Sequence, residues 1–287
     1  MNLRTLFSSR TIRSSETSRL LVASWILLCV AILSIGCGSR QDPILRLSAQ
    51  EALEIGKNYL EQEKYERARR HLVHAFEVEP NSRIGREALL LAADALYLRG
   101  GSESYITCEA KYRDFLNRFP TSDRADYAQY KVGACLAARA EKPDRDQRTT
   151  RLAIESYSEL LRLYPTSSYV PEAKQRIREL TDQLAAHELV VAVFYNRYGG
   201  HGICDAAIAR LEGLKVEFPQ FNRMDEALHQ MVIAYGKCGQ LEKATSTLAD
   251  LKRRFPDSEL IADAEEAWQE AAETLAEAKE KAEGQSS

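Results

Sequence analysis

Five proline strings constrain this 287-residue chain more than any other feature, because each follows an amphipathic helical run and most repeat the same neighbours. They are Glu79-Pro80-Asn81-Ser82, Phe119-Pro120-Thr121-Ser122, Tyr164-Pro165-Thr166-Ser167, Phe218-Pro219 and Phe255-Pro256-Asp257-Ser258. A proline just past a helix stops it, and the serine that follows suits the N-terminus of the next helix. Each string therefore separates two helices. With 14 Gly and 8 Pro, mostly outside the apolar periodic runs, the composition suits helices better than short, turn-rich strands, and an all-α fold is predicted.

Counting back from each proline gives a 34-residue helix-turn-helix in which small residues admit a close neighbour and large ones fill the gap, the tetratricopeptide (TPR) pattern. The first repeat carries Ile55, Gly56, Tyr59, Tyr65, Ala68, Leu72, Ala75 and Pro80 at the consensus offsets. The fifth carries Leu228, Met231, Tyr235, Gly239, Ala244, Leu248 and Pro256. Between them the pattern persists through Cys108, Tyr112 and Pro120, then Gly133, Ala153, Tyr157 and Pro165, then Tyr195, Ala207, Leu211 and Pro219. This predicts a TPR superhelix of five helix pairs over residues 49–256. Two irregularities stand out: a stretched turn through Lys142-Pro143-Asp144-Arg145-Asp146-Gln147-Arg148, and a long helix from Pro171 to about Tyr198, ahead of Gly199-Gly200. After Pro256, Ile261, Ala264, Trp268, Ala271, Leu275 and Ala278 form one helical stripe, so residues 257–287 read as an acidic capping helix and tail.

The first 19 residues carry Arg4, Arg10, Arg13 and Arg19 against Glu16, and Leu20 to Ile35 is an uncharged run, apolar but for Ser24 and Ser34. Too short for a comfortable span, the run ends in small residues, which predicts a signal peptide over 1–36. Leu33-Ser34-Ile35-Gly36-Cys37 resembles the lipobox of bacterial lipoproteins, although Ser34 stands where that pattern prefers Leu. Lipidation at Cys37, a linker over 37–48 and a lipid-anchored, periplasm-facing place at the outer membrane follow as expectations. Without residues 1–36 the chain has 35 basic and 41 acidic residues, a net charge of −6, which makes nucleic acid a poor partner.

The sequence offers little chemistry. His71 and His74 share a helix face, but no third ligand is arranged beside them, and neither a metal nor a cofactor is expected. There is no G-x-S-x-G, H-E-x-x-H or phosphate-loop string, and Gly199-Gly200-His201-Gly202 follows a helix where a phosphate loop would follow a strand. No catalytic residue is proposed and the chain is read as a non-enzyme. Cys108 and Cys135 fall on consecutive antiparallel helices, as do Cys204 and Cys238; they read either as two disulfides or as four buried small apolar side chains. Six tyrosines, Tyr59, Tyr65, Tyr112, Tyr157, Tyr195 and Tyr235, occupy packing positions. Tyr97, Tyr127 and Tyr130 instead fall on first-helix positions that face inward in a TPR array, with Leu53, Lys57, Leu60, Leu90 and Asp94, and predict a client groove on the concave face of the first three repeats.

The run Asp144-Arg145-Asp146-Gln147, Ala153 to Pro165, then Arg176 to Tyr195 with Leu180, Leu184, His187-Glu188-Leu189 and Phe194-Tyr195, resembles the third and fourth repeats of the BamD family, five-TPR lipoproteins of outer-membrane β-barrel assembly. The likeness covers about residues 49–256. It implies a scaffold that binds the POTRA domains of the barrel assembly protein and unfolded β-barrel clients, with the aromatic-ended strand of a client in the groove. It also implies a POTRA contact at the C-terminal repeats. There Arg210, turned off the core by Ala207, Leu211 and Leu214, matches an Arg of the family. A pilotin-like chaperone for a secretin, or an adaptor for a cell-wall enzyme, remain alternatives.

Overall fold

The computed structural model describes residues 42–198 and 203–285. The signal peptide predicted over 1–36, Cys37 and Gly199-Gly200-His201-Gly202 lie outside the described residues. A 3-10 turn at Pro43–Arg46 is capped by Asp42, and a separate compact unit begins at Ser48.

All regular elements of that unit are helices: α1 (Ala49–Glu61), α2 (Tyr65–Val78), α3 (Arg83–Arg99), α4 (Ser102–Arg118), α5 (Ala125–Ala137), α6 (Arg148–Leu163), α7 (Val170–Tyr198), α8 (Cys204–Glu217), α9 (Met224–Lys237), α10 (Leu241–Arg254) and α11 (Leu260–Gln285). Each helix packs on the next, and α1 also reaches α3, α7 reaches α9, and α9 reaches α11. Five antiparallel pairs and a capping helix result, so the TPR array read from the sequence is the fold.

The proline strings act through backbone geometry. Glu79, Phe119, Tyr164, Phe218 and Phe255, each preceding a proline, adopt φ between −126° and −136° and ψ between 56° and 68° while their N–H still bonds the carbonyl four residues back. A residue before proline is pushed out of the helical region, so every second helix ends in the same way. Ser82 then caps α3, its Oγ accepting from the Gly85 N–H at 3.0 Å. Ser122, Ser167 and Ser258 accept two residues on instead, at Arg124, Tyr169 and Leu260, which closes a turn and not a helix cap. Ser167 and Ser258 also donate to Asp126 and Asp225, at the start of the preceding repeat's first helix, at 2.6 and 2.8 Å. The punctuation thus bonds neighbouring repeats as well as separating helices.

Small residues admit close helix contacts. A Cβ on Gly56 would lie 2.6 Å from Leu72, and one on Gly133 would lie 2.7 Å from the Tyr157 ring. Two apolar clusters result. One joins α3 to the first half of α7 and contains Tyr112, Tyr157, Phe115 and Leu160. The other runs from Ala185 on α7 to Ala264 on α11 and is mostly Ala, Leu, Met and Val, with Ile208, Phe221 and Tyr235 among them and Trp268 packed against it. The helix α7, 29 residues long, belongs to both.

The two irregularities of the sequence are one structure. Gln147, buried in the stretched turn, donates to the Lys142 and Arg145 carbonyls at 2.8 and 3.0 Å and accepts from Thr150. From α7, Gln183 donates to the Glu141 carbonyl and to Gln147, while His187 Nδ1 lies 2.6 Å from the Pro143 carbonyl. The turn gives α7 something to pack on beyond the first residue of α6.

Candidate functional site: the inner face and the C-terminal repeats

The inward positions of α3 and α5 meet in a hydrogen-bonded aromatic cluster centred on Asp94. Its Oδ1 accepts the hydroxyls of Tyr112, from α4, and Tyr127, from α5, each at 2.5 Å, and Lys131 Nζ stands 3.6 Å away. Lys131 also lies over the Tyr97 ring, 3.9 Å from its centroid, a cation–π contact. Burial lowers the Lys131 pKa, against the pull of Asp94, and burial followed by the Asp94 charge raises those of Tyr112 and Tyr127. Tyr130 stacks on Tyr169 at 5.0 Å and donates to Glu172 at 2.6 Å. The hydroxyls of Tyr112, Tyr127 and Tyr130 are thus used within the fold, and Tyr97 meets its neighbours through its ring.

The predicted groove residues separate into three kinds. Leu53 and Leu90 are 2% and 5% exposed, so both belong to the core, since α1 packs directly on α3 and takes aliphatic side chains at inward positions into the fold; the exposed edge of Leu90 lines a cavity of about 360 Å³ beside Asp94. Lys57 is paired with Glu87 at 2.8 Å and Glu54 at 3.6 Å, and Leu60 is half-buried. Asp94, Tyr97, Tyr127 and Tyr130 come together as one site, half-buried rather than projecting. The sequence reading missed Lys131, Tyr169 and Glu172. Lys131 follows Tyr127 by four residues on α5, a same-face spacing that could have flagged it.

At the other end Arg210 is on the surface, and its Nη1 donates to Glu188 of α7 at 2.9 Å. On α7, beyond the contact of Gln183 with Gln147 and Thr150 at the start of α6, Val190, Phe194 and Tyr198 step by four and are bare: Phe194 is 58% and Tyr198 69% exposed. The geometry presents an ion pair and an aromatic stripe on one helix.

The structure joins Cys108 to Cys135 and Cys204 to Cys238, with Cα separations of 6.6 and 5.7 Å. Each links the second helix of one repeat to the first helix of the next. Cys108 sits mid-way along α4, which begins at Ser102 after two glycines with positive φ. Cys204, Asp205 and Cys238 place three donor atoms within 4.8 Å of one another, but the two sulfurs are bonded to each other. His74 is buried, and His71 meets the Arg67 carbonyl and the Tyr59 ring.

The family profile of YfiO, described as outer membrane lipoprotein, matches residues 46–248. This chain belongs to that family. It is 29% identical to the outer membrane protein assembly factor BamD of Haemophilus influenzae over 236 residues, covering 79% of this chain and 88% of the relative. The Pasteurella multocida BamD is 25% identical, covering 84% and 96%, and that of Neisseria meningitidis serogroup A is 28% identical, covering 66% and 72%. A solved TPR protein from Thermus thermophilus aligns with 78% of this chain and 98% of its own at 17% identity and a TM-score of 0.33. Among the described residues no helix is long and apolar enough to cross a membrane.

Proposed function

We propose that this YfiO-family chain is a non-catalytic scaffold for assembling outer-membrane β-barrel proteins, held at the membrane through a lipid on Cys37 and facing the periplasm. The reading draws on the names of its BamD relatives, outer membrane protein assembly factors. The observation that carries it is the tyrosine face around Asp94. The rings of Tyr127 and Tyr130, whose hydroxyls are satisfied internally, together with the Tyr97 ring offer contact area with little sequence selectivity, which suits extended, aromatic-ended strands of many clients. In this reading Tyr97, Tyr127 and Tyr130 bind unfolded barrel strands. Arg210, with Phe194 and Tyr198 on the helix of its partner Glu188, meets the POTRA domains of the barrel assembly protein.

A photo-crosslinker at Tyr97 should capture a peptide from the C-terminal strand of a barrel protein, whereas one at exposed Val216, on the second helix of the fourth repeat, should not. In the same preparation Arg210→Glu should weaken binding to isolated POTRA domains, while stability falls by under about 1 kcal/mol because an exposed ion pair is worth little. Capture at Val216 alone sinks the groove, and unchanged POTRA affinity returns Arg210 to the solvated surface.

A further inference from the structure

The two disulfides occupy equivalent places in the array and unlike surroundings. Cys108 and Cys135 are both 0% exposed, packed among Leu96, Tyr112 and Leu136 in the N-terminal core. Cys204 is 5% exposed at the first position of α8, and Cys238 is half-exposed as the C-cap of α9. Both of the latter line an open groove of about 680 Å³, walled by Gly236 and Gly239 on one side and by Ala271 and Leu275 of α11 on the other. A disulfide exchanges only when a thiolate can reach a sulfur in line with the bond, so burial protects the first bridge and the groove exposes the second.

The sulfurs of the second bridge are also unequal. Cys204 stands at a helix N-terminus, where unpaired N–H groups and the helix dipole stabilise a thiolate and make it the better leaving group. The Asp205 carboxylate lies 3.5 Å from the Cys238 sulfur. It repels every attacking thiolate, and most of all one whose molecule carries further negative charge.

We propose that Cys204–Cys238 is a thiol–disulfide exchange site, a reducible latch between the fourth and fifth repeats, while Cys108–Cys135 is a permanent bridge. The thiolate of a dithiol reductant attacks Cys238 Sγ, a mixed disulfide forms there, and Cys204 leaves as a thiolate. The second thiol of the reductant then attacks its own sulfur in the mixed disulfide and releases Cys238 as a thiolate, which completes a two-electron transfer. The reductant ends as a disulfide and the latch as two thiols. Asp205 is the positioning residue that discriminates among reductants by charge.

The test uses the full chain, exposed to submillimolar dithiothreitol under native conditions, with free thiols alkylated at intervals and located by peptide mass spectrometry. Thiols at Cys204 and Cys238 should appear at least about tenfold faster than at Cys108 and Cys135, with the helical circular dichroism unchanged. Glutathione, which is anionic, should open the same bridge more slowly than a neutral monothiol of similar thiol pKa, and Asp205→Asn should narrow that gap several-fold. Simultaneous release of all four thiols, release accompanied by loss of helix, or four free thiols at the outset overturns the proposal. An Asp205→Asn variant whose gap is unchanged removes the charge gate, and with it the role given to Asp205.

Discussion

The two apolar clusters are built from the same repeat and differ in chemistry. The N-terminal one closes around Tyr112, Tyr127 and Tyr157, with a carboxylate and an ammonium drawn into it at Asp94 and Lys131. The C-terminal one closes around Leu211, Leu214, Leu228 and Met231, and its hydrogen-bonding side chains reach neutral or exposed partners, Tyr235 the exposed Glu212 and buried Asn196 the Gln230 amide. A hydrogen-bonded core fixes one arrangement because each donor has a single good acceptor, whereas aliphatic side chains of similar volume can exchange neighbours at modest cost. The first region is therefore the rigid half, suited to presenting a preformed face. The second, whose long helix carries bare Phe194 and Tyr198, is the half with room to adapt to a partner.

The hardest blow to this contrast is a matched pair of truncations. Tyr112→Ala removes a fully buried ring and one of the two hydroxyls on Asp94, and should cost about 4 kcal/mol in denaturant unfolding, against about 3 kcal/mol for Leu211→Ala. Equal losses would mean that the polar centre adds nothing. Next in size is Ala186→Pro, in the middle of α7, where a lost hydrogen bond and a ring clash should cost about 3 kcal/mol or more. Because α7 is the element shared by both clusters, this variant should separate unfolding into two transitions, the aromatic half melting last; one coincident transition would show that the halves are coupled without the continuous helix.

A finer comparison removes single hydroxyls. Tyr127→Phe takes a donor from a largely buried carboxylate and should cost about 2 kcal/mol, whereas Tyr235→Phe, whose hydroxyl reaches exposed Glu212 at 2.7 Å, should cost under about 1 kcal/mol. Similar values would erase the distinction between the cores. The smallest effect belongs to acid. Burial acts to raise the Asp250 pKa, but hydrogen bonds from Lys215 and Arg253 and the charge of Arg254 outweigh it, so the net shift is downward. A carboxylate whose pKa is lower folded than unfolded contributes stability above its unfolded value, near 3.8, and loses it as the pH falls from there through the folded value. Hydrogen-exchange protection factors in α8 and α10, corrected for the intrinsic rate, should therefore fall below about pH 4 by an amount that Asp250→Asn abolishes. An unchanged acid response in that variant would place the effect elsewhere.

The repeat was legible in the sequence because it rests on short-range physics. A proline dictates the backbone of the residue before it, and the five breaks at Glu79, Phe119, Tyr164, Phe218 and Phe255 are nearly superimposable as a result. Small residues such as Gly56 and Gly133 mark close approaches for an equally local reason: no other side chain leaves room for Leu72 or Tyr157. The stretched turn and the long helix could each be seen in the sequence, but not that they hold one another through Gln183 and His187, residues 36 to 44 positions from their partners.

The inner face divides along the same line. Helical spacing placed Leu53, Leu90, Asp94, Tyr97, Tyr127 and Tyr130 on the inward side, and that is a property of α1, α3 and α5 taken one at a time. Whether an inward residue is groove or core depends on how far the neighbouring repeat stands off, and there the structure took Leu53 and Leu90 into the core. The meeting of Tyr112 and Tyr127 on one oxygen of Asp94, the approach of Arg210 to Glu188, and the choice between bridged and separate cysteines likewise depend on atoms brought together from different helices. The sequence by itself determined the helices, their order and the faces they turn inward, since those follow from backbone and periodicity. The tertiary structure decided which polar groups find partners and which aromatic rings stay bare, because desolvation and hydrogen bonding act over a few ångströms between segments that the chain keeps far apart.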